Sequence, residues 1–178
     1  MDQYVDHGVG SAPENLDGLL RLWAPYRSAY LTTTEKDDDP FLSIPEKSDE
    51  EGLIVARGRT VYCVLNLFPY NPGHMLVVPY RKVADYTELT DEETAELASF
   101  TKTAIRAVRR VSNPNAINVG LNLGRASGGS VSDHLHQHVV PRWSGDANFM
   151  TVIAGTKVLP QTLRETRRLL ADAWREVS

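Results

Sequence analysis

The apolar positions near the N-terminus follow a helical spacing. Asn15 is a suitable N-cap and Pro25 ends the pattern. The apolar residues between them are Leu16, Leu19, Leu20 and Trp23. We therefore predict a short amphipathic helix over residues 15–25. The polar run 32–39, which is followed by Pro40, has no periodicity and holds four acidic residues. We therefore interpret it as a solvated connector whose only role is to link its neighbouring segments.

The pattern changes from helix to strand at Leu53. Three runs rich in apolar and β-branched residues predict a meander of strands at 53–57, 60–65 and 74–79. Thr90 and Glu93 have the spacing of a capping box, which predicts that a helix begins there. Its apolar stripe should cover one face of the sheet and consists of Leu97, Phe100, Thr101, Ala104, Ile105 and Val108.

The second half of the chain predicts two more strands and a final helix. The strands span 116–122 and 135–141, with a glycine-rich loop between them, and a short strand is possible at 149–153. Pro160 can open the last helix, whose buried side is predicted to hold Leu163, Thr166, Leu170 and Trp174. This order favours an α+β fold with an antiparallel sheet, a covering helix, and helices at both ends. We divide the chain into an extension (1–52), a catalytic domain (53–154) and a C-terminal helix packed on it (155–178).

Composition narrows the possible partners. A chain of 178 residues, 42% hydrophobic and 24% charged, suits one compact domain. Its net charge of −4 argues against a broad basic surface for nucleic acid or an anionic membrane. Cys63 is the only cysteine, so an intrachain disulfide is impossible and a thiolate zinc site would be poor. No secretory signal or spanning apolar run is legible, and a cytoplasmic protein is expected.

Three of the five histidines stand at alternate positions in the run 134–138. On a strand, His134, His136 and His138 would line one side, and Leu135, Gln137 and Val139 the other. An isolated histidine is usually a structural residue whose ring is hydrogen-bonded, but three histidines in register suggest a binding or catalytic site. They can bind a metal, although three successive strand positions converge poorly on one ion. They can also handle phosphate, with the backbone amides of Gly129 and Ser130 holding its oxygens and an imidazole attacking phosphorus.

Two segments of the chain resemble one family. Residues 134–140 resemble the H-x-H-x-H-x-x signature of the histidine triad (HIT) superfamily of nucleotide hydrolases and transferases. Residues 66–79 are similar to its strand, P-G-H turn and following strand. Segments 22–27, 120–124 and 141–150 further resemble the Fhit-like branch, in particular actinobacterial diadenosine tetraphosphate phosphorylases. The resemblance implies a homodimer whose sheet continues across the two-fold axis, and the alternative assembly is a tetramer of two such dimers.

The resemblance also implies roles for individual residues. His136 would be the nucleophile, and the backbone carbonyl of His134 would fix its tautomer. The rings of His134 and His138 would contact phosphate oxygens. The remaining implied site residues are Asn66 at the ribose, Asn122, Gly129 and Ser130 at the phosphates, and His74 close by.

Two departures from the family pattern stand out. Residues 39–42 replace a zinc-binding Cys-Pro-Phe-Cys segment, so no metal is expected there. Gln137 replaces a usually apolar residue, so that face of the strand is expected to be less buried or to meet a partner.

The implied reaction is cleavage of diadenosine tetraphosphate through an adenylyl-histidine. Resolution by inorganic phosphate as co-substrate would give ADP and ATP, and resolution by water would give AMP and ATP. No prosthetic group is expected, although a divalent cation can accompany the polyphosphate. The alternatives are a dinucleoside polyphosphate hydrolase, a nucleotide phosphoramidase, and a nucleotide-sensing interaction protein that binds adenine nucleotides.

Overall fold

The computed structural model describes residues 39–127, 131–146 and 159–178. Its sheet has five strands: β1 (Ile54–Arg57), β2 (Val61–Leu65), β3 (Met75–Pro79), β4 (Ala116–Leu121) and β5 (Gln137–Arg142). They lie in the order β1-β2-β3-β5-β4, and every neighbouring pair is antiparallel. The predicted α+β class and the meander of the first three strands are confirmed. The division into three segments stays a prediction.

The described segments contain three α-helices beside the sheet: α1 (Pro40–Ser43), α2 (Asp91–Ser112) and α3 (Leu163–Val177). The predicted capping box is present in full at the start of α2. Helix α3 begins three residues after Pro160, because the side chain of Thr162 caps it by accepting from the Glu165 amide. The predicted helix at 15–25 and the short strand at 149–153 lie outside the described residues.

Helices α2 and α3 cover one face of the sheet. The core between them contains alternate residues of the strands, including Val61, Cys63 and Leu65 of β2. It also contains Leu97, Ala104 and Val108 of α2, so the predicted stripe does face the sheet. Cys63 is completely buried, and burial raises the pKa of its thiol. Because both faces of β2 are covered, all five of its residues are buried.

The opposite face of the sheet carries a smaller apolar cluster, covered by α1. Its buried members are Phe41, Ile54, Tyr62, Val64, Leu76 and Val78. The hydroxyl of Tyr62 donates to the Phe41 carbonyl at 2.9 Å, which fixes α1 against β2. This face positions the histidines, because α1 reaches them from one side and the turn after β2 reaches them from the other.

The turn between β2 and β3 depends on one glycine. Gly73 has a φ of +77°, a conformation that an L side chain adopts only with strain. It delivers His74 into the completely buried position just before β3. At the far edge of the sheet, β4 is largely exposed and has no strand partner beyond β5 within the described segments. No helix of those segments is long and apolar enough to cross a membrane.

Candidate active site

The three alternate histidines enter the sheet at the start of β5. The strand begins at Gln137, two residues later than predicted, so His134 and His136 belong to the segment that leads into it. The strand starts later because the amide of Leu135 donates to the Val83 carbonyl, outside the sheet ladder. All three histidines are nevertheless buried, with at most 9% of each exposed. The segment therefore brings three imidazoles together, although only His138 is a strand residue.

The ring of His136 is held by the backbone of its own segment. Its Nδ1 lies 2.8 Å from the carbonyl oxygen of His134, which can only accept, so Nδ1 carries the hydrogen. Burial lowers the pKa of His136 below its ordinary value of 6.5, so the ring is neutral at pH 7. A neutral ring with its hydrogen on Nδ1 presents a lone pair at Nε2. The tautomer implied by the resemblance is the one this geometry requires.

The Nε2 atom of His136 is accessible. No hydrogen bond joins it to another described residue, yet no buried side-chain polar atom in the described segments lacks a partner. This atom therefore lies at the solvent-accessible edge of the site. A neutral imidazole with an exposed lone pair is a competent nucleophile.

The ring of His134 has a different position from the one expected. Its Nδ1 lies 2.8 Å from Oδ2 of Asp39, and its Nε2 lies 2.9 Å from the Pro79 carbonyl. The side chain is fully buried. The prediction that this ring contacts phosphate oxygens is wrong, because both nitrogens are already bound to protein acceptors. His134 serves the site through its backbone carbonyl.

A chain of hydrogen bonds sets the tautomer of His138. The backbone amide of Tyr70 donates to Nδ1 of His74 at 3.1 Å, so this nitrogen is an acceptor. Burial, followed by the neighbouring His138 and His136, lowers the pKa of His74 to about 3, which keeps the ring neutral. Its hydrogen therefore lies on Nε2 and is donated to Nδ1 of His138 at 2.9 Å. His138 must then carry its own hydrogen on Nε2.

The neighbouring rings of His136 and His138 thus have opposite tautomers. The centroids of His136 and His138 are 5.0 Å apart. His136 presents a lone pair at Nε2, whereas His138 presents an N–H at the same ring position. One ring is arranged to attack an electrophile, and the other is arranged to donate a hydrogen bond to developing negative charge.

Two of the predicted nucleotide-binding residues, Asn122 and Asn66, lie next to the histidine network. The side-chain amide of Asn122 lies 3.2 Å from Nε2 of His138, and it can accept that N–H when it turns its oxygen towards the ring. Asn66 lies at the end of β2, where its oxygen accepts from the Phe68 amide. Its amide nitrogen is 3.4 Å from Nδ1 of His74. Gly129 and Ser130 lie outside the described residues.

Gln137 faces the helix side of the sheet and is buried. Its amide nitrogen donates to the hydroxyl of Thr101 in α2 at 2.5 Å. The expectation of a less buried face is therefore wrong, since only 9% of Gln137 is exposed. The alternative expectation was that Gln137 meets a partner, and the partner observed is Thr101 of this same chain. The bond ties the triad segment to the covering helix.

An ion pair that the sequence did not suggest fixes the segment after β5. Asp146 accepts from the guanidinium of Arg142 at 2.6 Å and from the amide of Asn71 at 2.6 Å. Asn71 also donates to the Pro141 carbonyl. The Arg142 hydrogen bond is the main reason why the pKa of Asp146 is well below its ordinary range. These contacts join the end of β5 to the turn that precedes His74.

Asp39 and Phe41 are site residues that the sequence reasoning missed. The run 32–39 was interpreted as a solvated connector, but Asp39 has only 7% of its side chain exposed and binds His134. The ring of Phe41 lies 4.8 Å from the ring of His136. The available signal was the pair Asp39-Pro40, since an aspartate followed by proline is typical of an N-cap and the first residue of a helix.

The described residues around Asp39 do not suit a bound metal. The carboxylate already accepts from His134 and faces the Lys82 ammonium at 3.4 Å. In the segments that the structure describes, no three His, Cys, Asp or Glu side chains are grouped as metal ligands. A cation would have to compete with an ammonium for the same oxygen.

Comparisons with known proteins agree with this geometry. Residues 47–145 match the HIT domain family. The chain is 57% identical over 178 aligned residues to the AP-4-A phosphorylase of Mycobacterium tuberculosis, and the match covers 95% of this chain and 89% of the relative. It is also 34% identical over 82 residues to the asymmetrical bis(5'-nucleosyl)-tetraphosphatase of Schizosaccharomyces pombe, which covers 46% of this chain and 44% of that protein.

Solved structures share the fold. A Zn-bound histidine triad family protein from Mycobacterium smegmatis has a TM-score of 0.58 and 28% identity, covering 70% of this chain and 84% of its own. A hypothetical histidine triad nucleotide-binding protein from Sulfolobus tokodaii has a TM-score of 0.63 and 24% identity, covering 78% and 93%. Both likenesses agree with the α+β fold of the described residues.

Proposed function

Because this chain belongs to the HIT family, we propose that it cleaves diadenosine tetraphosphate through a covalent adenylyl intermediate on His136. The observation that carries the proposal is the tautomer of His136, whose Nδ1 is bound to the His134 carbonyl and whose Nε2 presents a lone pair. The 57% identity to the M. tuberculosis AP-4-A phosphorylase supports this substrate and favours phosphorolysis.

In the first step, the lone pair on Nε2 of His136 attacks the α-phosphorus of the substrate. A phosphorus–nitrogen bond forms, the bond from the α-phosphorus to the bridging oxygen breaks, and ATP leaves. Nδ1 of His138 accepts from Nε2 of His74 at 2.9 Å, so the Nε2–H of His138 is available to stabilise charge on the phosphate oxygens. The ring that attacks does not need to lose a proton, because it is already neutral.

In the second step, inorganic phosphate attacks the adenylyl group. Its oxygen forms a bond to the α-phosphorus, the bond to Nε2 of His136 breaks, and the products are ADP and the free enzyme. Water in place of phosphate would release AMP. No prosthetic group takes part in either step, and a divalent cation can accompany the polyphosphate as its counterion.

The other site residues bind the nucleotide in this proposal. Asn66 hydrogen-bonds the ribose hydroxyls, and Asn122 contacts the phosphates beside His138. Gly129 and Ser130 supply further phosphate contacts. This assignment is supported by the position of Asn122, 3.2 Å from His138, and by Asn66 at the end of β2.

The test is product analysis with and without inorganic phosphate. Purified protein is incubated with diadenosine tetraphosphate, and the nucleotides are separated by anion-exchange chromatography. ADP plus ATP that requires phosphate is the expected result. AMP plus ATP independent of phosphate would make the protein a hydrolase, and binding without turnover would favour a nucleotide-sensing role.

A matched pair of variants tests the nucleophile. His136→Ala should abolish covalent labelling by substrate radiolabelled in its adenylyl groups when phosphate is omitted. Asp85→Ser is the control and should label like the wild type, because Asp85 caps the turn at Tyr86–Glu88 and contacts none of the histidines. Undiminished labelling of His136→Ala would refute the mechanism.

We also propose that two chains pair through β4. The outer edge of β4 is exposed, and Val119 on it is 46% exposed, which would leave an unpaired strand edge in a monomer. Light scattering should show a dimer, or a tetramer built from it, that Val119→Glu weakens. Leu159→Glu, at a similarly exposed position that is not part of β4, should not. The adenine nucleotide substrates favour a cytoplasmic setting.

A further inference from the structure

We propose that Asp39 is a positioning residue for the reaction: it holds His134 so that the His134 carbonyl keeps His136 in its reactive tautomer. The inference rests on the proposed role of His136 as nucleophile. Asp39 would not touch the substrate, because its side chain is buried against His134.

Two hydrogen bonds and the His134 residue connect Asp39 to His136. Oδ2 of Asp39 accepts from Nδ1 of His134 at 2.8 Å, and the carbonyl of His134 accepts from Nδ1 of His136 at 2.8 Å. The other nitrogen of the His134 ring donates to the Pro79 carbonyl in β3. The ring is thereby fixed at both ends, and its backbone carbonyl is fixed with it.

The other carboxylate oxygen of Asp39 fixes Phe41. Oδ1 of Asp39 accepts from the Phe41 amide at 3.0 Å and caps α1. The Phe41 ring packs on His136 at 4.8 Å and on His134 at 5.5 Å between centroids. One carboxylate therefore places the aromatic ring that packs on the nucleophile, and also the histidine that orients it.

Lys82 places a positive charge beside Asp39. Lys82 lies 3.4 Å from Oδ2 of Asp39 and 2.9 Å from a carboxylate oxygen of Asp133, the residue before His134. The ammonium therefore bridges the carboxylates of Asp39 and Asp133. Asp39 also accepts a hydrogen bond on each of its oxygens, from the Phe41 amide and from His134.

Two substitutions separate the two contacts of Asp39. Asp39→Ser leaves a hydroxyl that can cap α1, since serine is also a favoured N-cap, but this shorter side chain cannot reach His134. Asp39→Asn keeps the length, and its amide can still form a hydrogen bond with Nδ1 of His134. The matched control is Asp85→Ser, because Asp85 caps the turn at Tyr86–Glu88 in the same way and contacts none of the histidines.

The first measurement is steady-state turnover of diadenosine tetraphosphate. We expect Asp39→Ser to lower kcat by about 10- to 100-fold, while KM stays close to the wild-type value. A loss of this size is typical when an outer hydrogen-bond partner that orients a functional residue is removed. Asp39→Asn should recover part of the loss, and Asp85→Ser should match the wild type. Wild-type kcat in Asp39→Ser, or equal loss in both serine variants, would overturn the inference.

The second measurement does not require turnover. Nitrogen-15 NMR of the histidine rings distinguishes a nitrogen that carries hydrogen from one that does not. His136 should carry its hydrogen on Nδ1 in the wild type and in Asp85→Ser, and should show a mixture of tautomers in Asp39→Ser. An unchanged tautomer in Asp39→Ser would overturn the role of Asp39, even if the wild type failed to cleave the substrate and the proposed function fell.

Discussion

The buried bond between Gln137 and Thr101 gives the sharpest stability prediction. The Thr101 hydroxyl accepts from the Gln137 amide at 2.5 Å and donates to the Leu97 carbonyl at 2.7 Å. Thr101→Val keeps the shape of the side chain and removes both bonds. The amide of Gln137 is then buried without its acceptor, because only 9% of that residue is exposed.

The expected cost follows from that unsatisfied amide. A buried donor that loses its partner costs about 1–3 kcal/mol, whereas the change in helix propensity from threonine to valine is close to zero. The matched control is Thr103→Val, because Thr103 is 8% exposed and its hydroxyl donates to the Ser99 carbonyl at 3.2 Å in the same helix. The difference between the two variants isolates the bond to Gln137.

The assay is urea unfolding followed by circular dichroism, with the free energy of unfolding compared between variants. Thr101→Val should be less stable than Thr103→Val by about 1–3 kcal/mol, or about 2 to 12 °C in Tm for a chain of this size. Adding Gln137→Met to Thr101→Val should restore most of the loss, because an apolar pair leaves no unsatisfied group. Equal stability of the two valine variants would refute the reasoning.

Three further predictions concern pH and the turn before the site. The acidic limb of the kcat/KM profile should lie below pH 6.5, because burial lowers the pKa of His136 from that value; a limb above it would contradict a neutral nucleophile. The Arg81 hydrogen bond lowers the pKa of Glu93 from 4.5 to about 2, so its stabilising effect is complete above pH 4.5 and is lost as the pH falls towards 2. The difference in unfolding free energy between wild type and Glu93→Gln should accordingly shrink from pH 5 to pH 3 in urea titrations. Gly73→Ala should cost about 1–2 kcal/mol through its positive φ, while Gly120→Ala, where no atom lies within 4 Å of the added methyl group, should cost much less.

Local patterns predicted the fold because each element has a strong signal of its own. The capping box at Thr90 fixes the start of α2, and the apolar stripe fixes its buried face. Strand boundaries were less accurate at the triad. The alternation of histidines continues through His134 and His136, but the Leu135 amide bonds to Val83, which lies far away in the sequence. No local pattern contains that contact.

The site was predicted in part for the same reason. The alternate spacing brought His134, His136 and His138 to notice, and the tautomer of His136 depends on a carbonyl only two residues away. The buried role of Asp39 depends on a histidine 95 residues later in the chain. An aspartate in a polar run gives no sign of such a partner, since its burial arises only when α1 packs on β2.

The single cysteine has a practical consequence for experiments on this protein. Cys63 is fully enclosed between β2 and the helices, and burial raises the pKa of its thiol, so little reactive thiolate is available to reagents in the folded state. A cysteine introduced at an exposed position such as Leu67, which is 62% exposed in the turn after β2, would be the preferred target of a maleimide dye. A Leu67→Cys variant can therefore receive one fluorophore in the turn after β2 without removal of Cys63, and its emission should report nucleotide binding in real time.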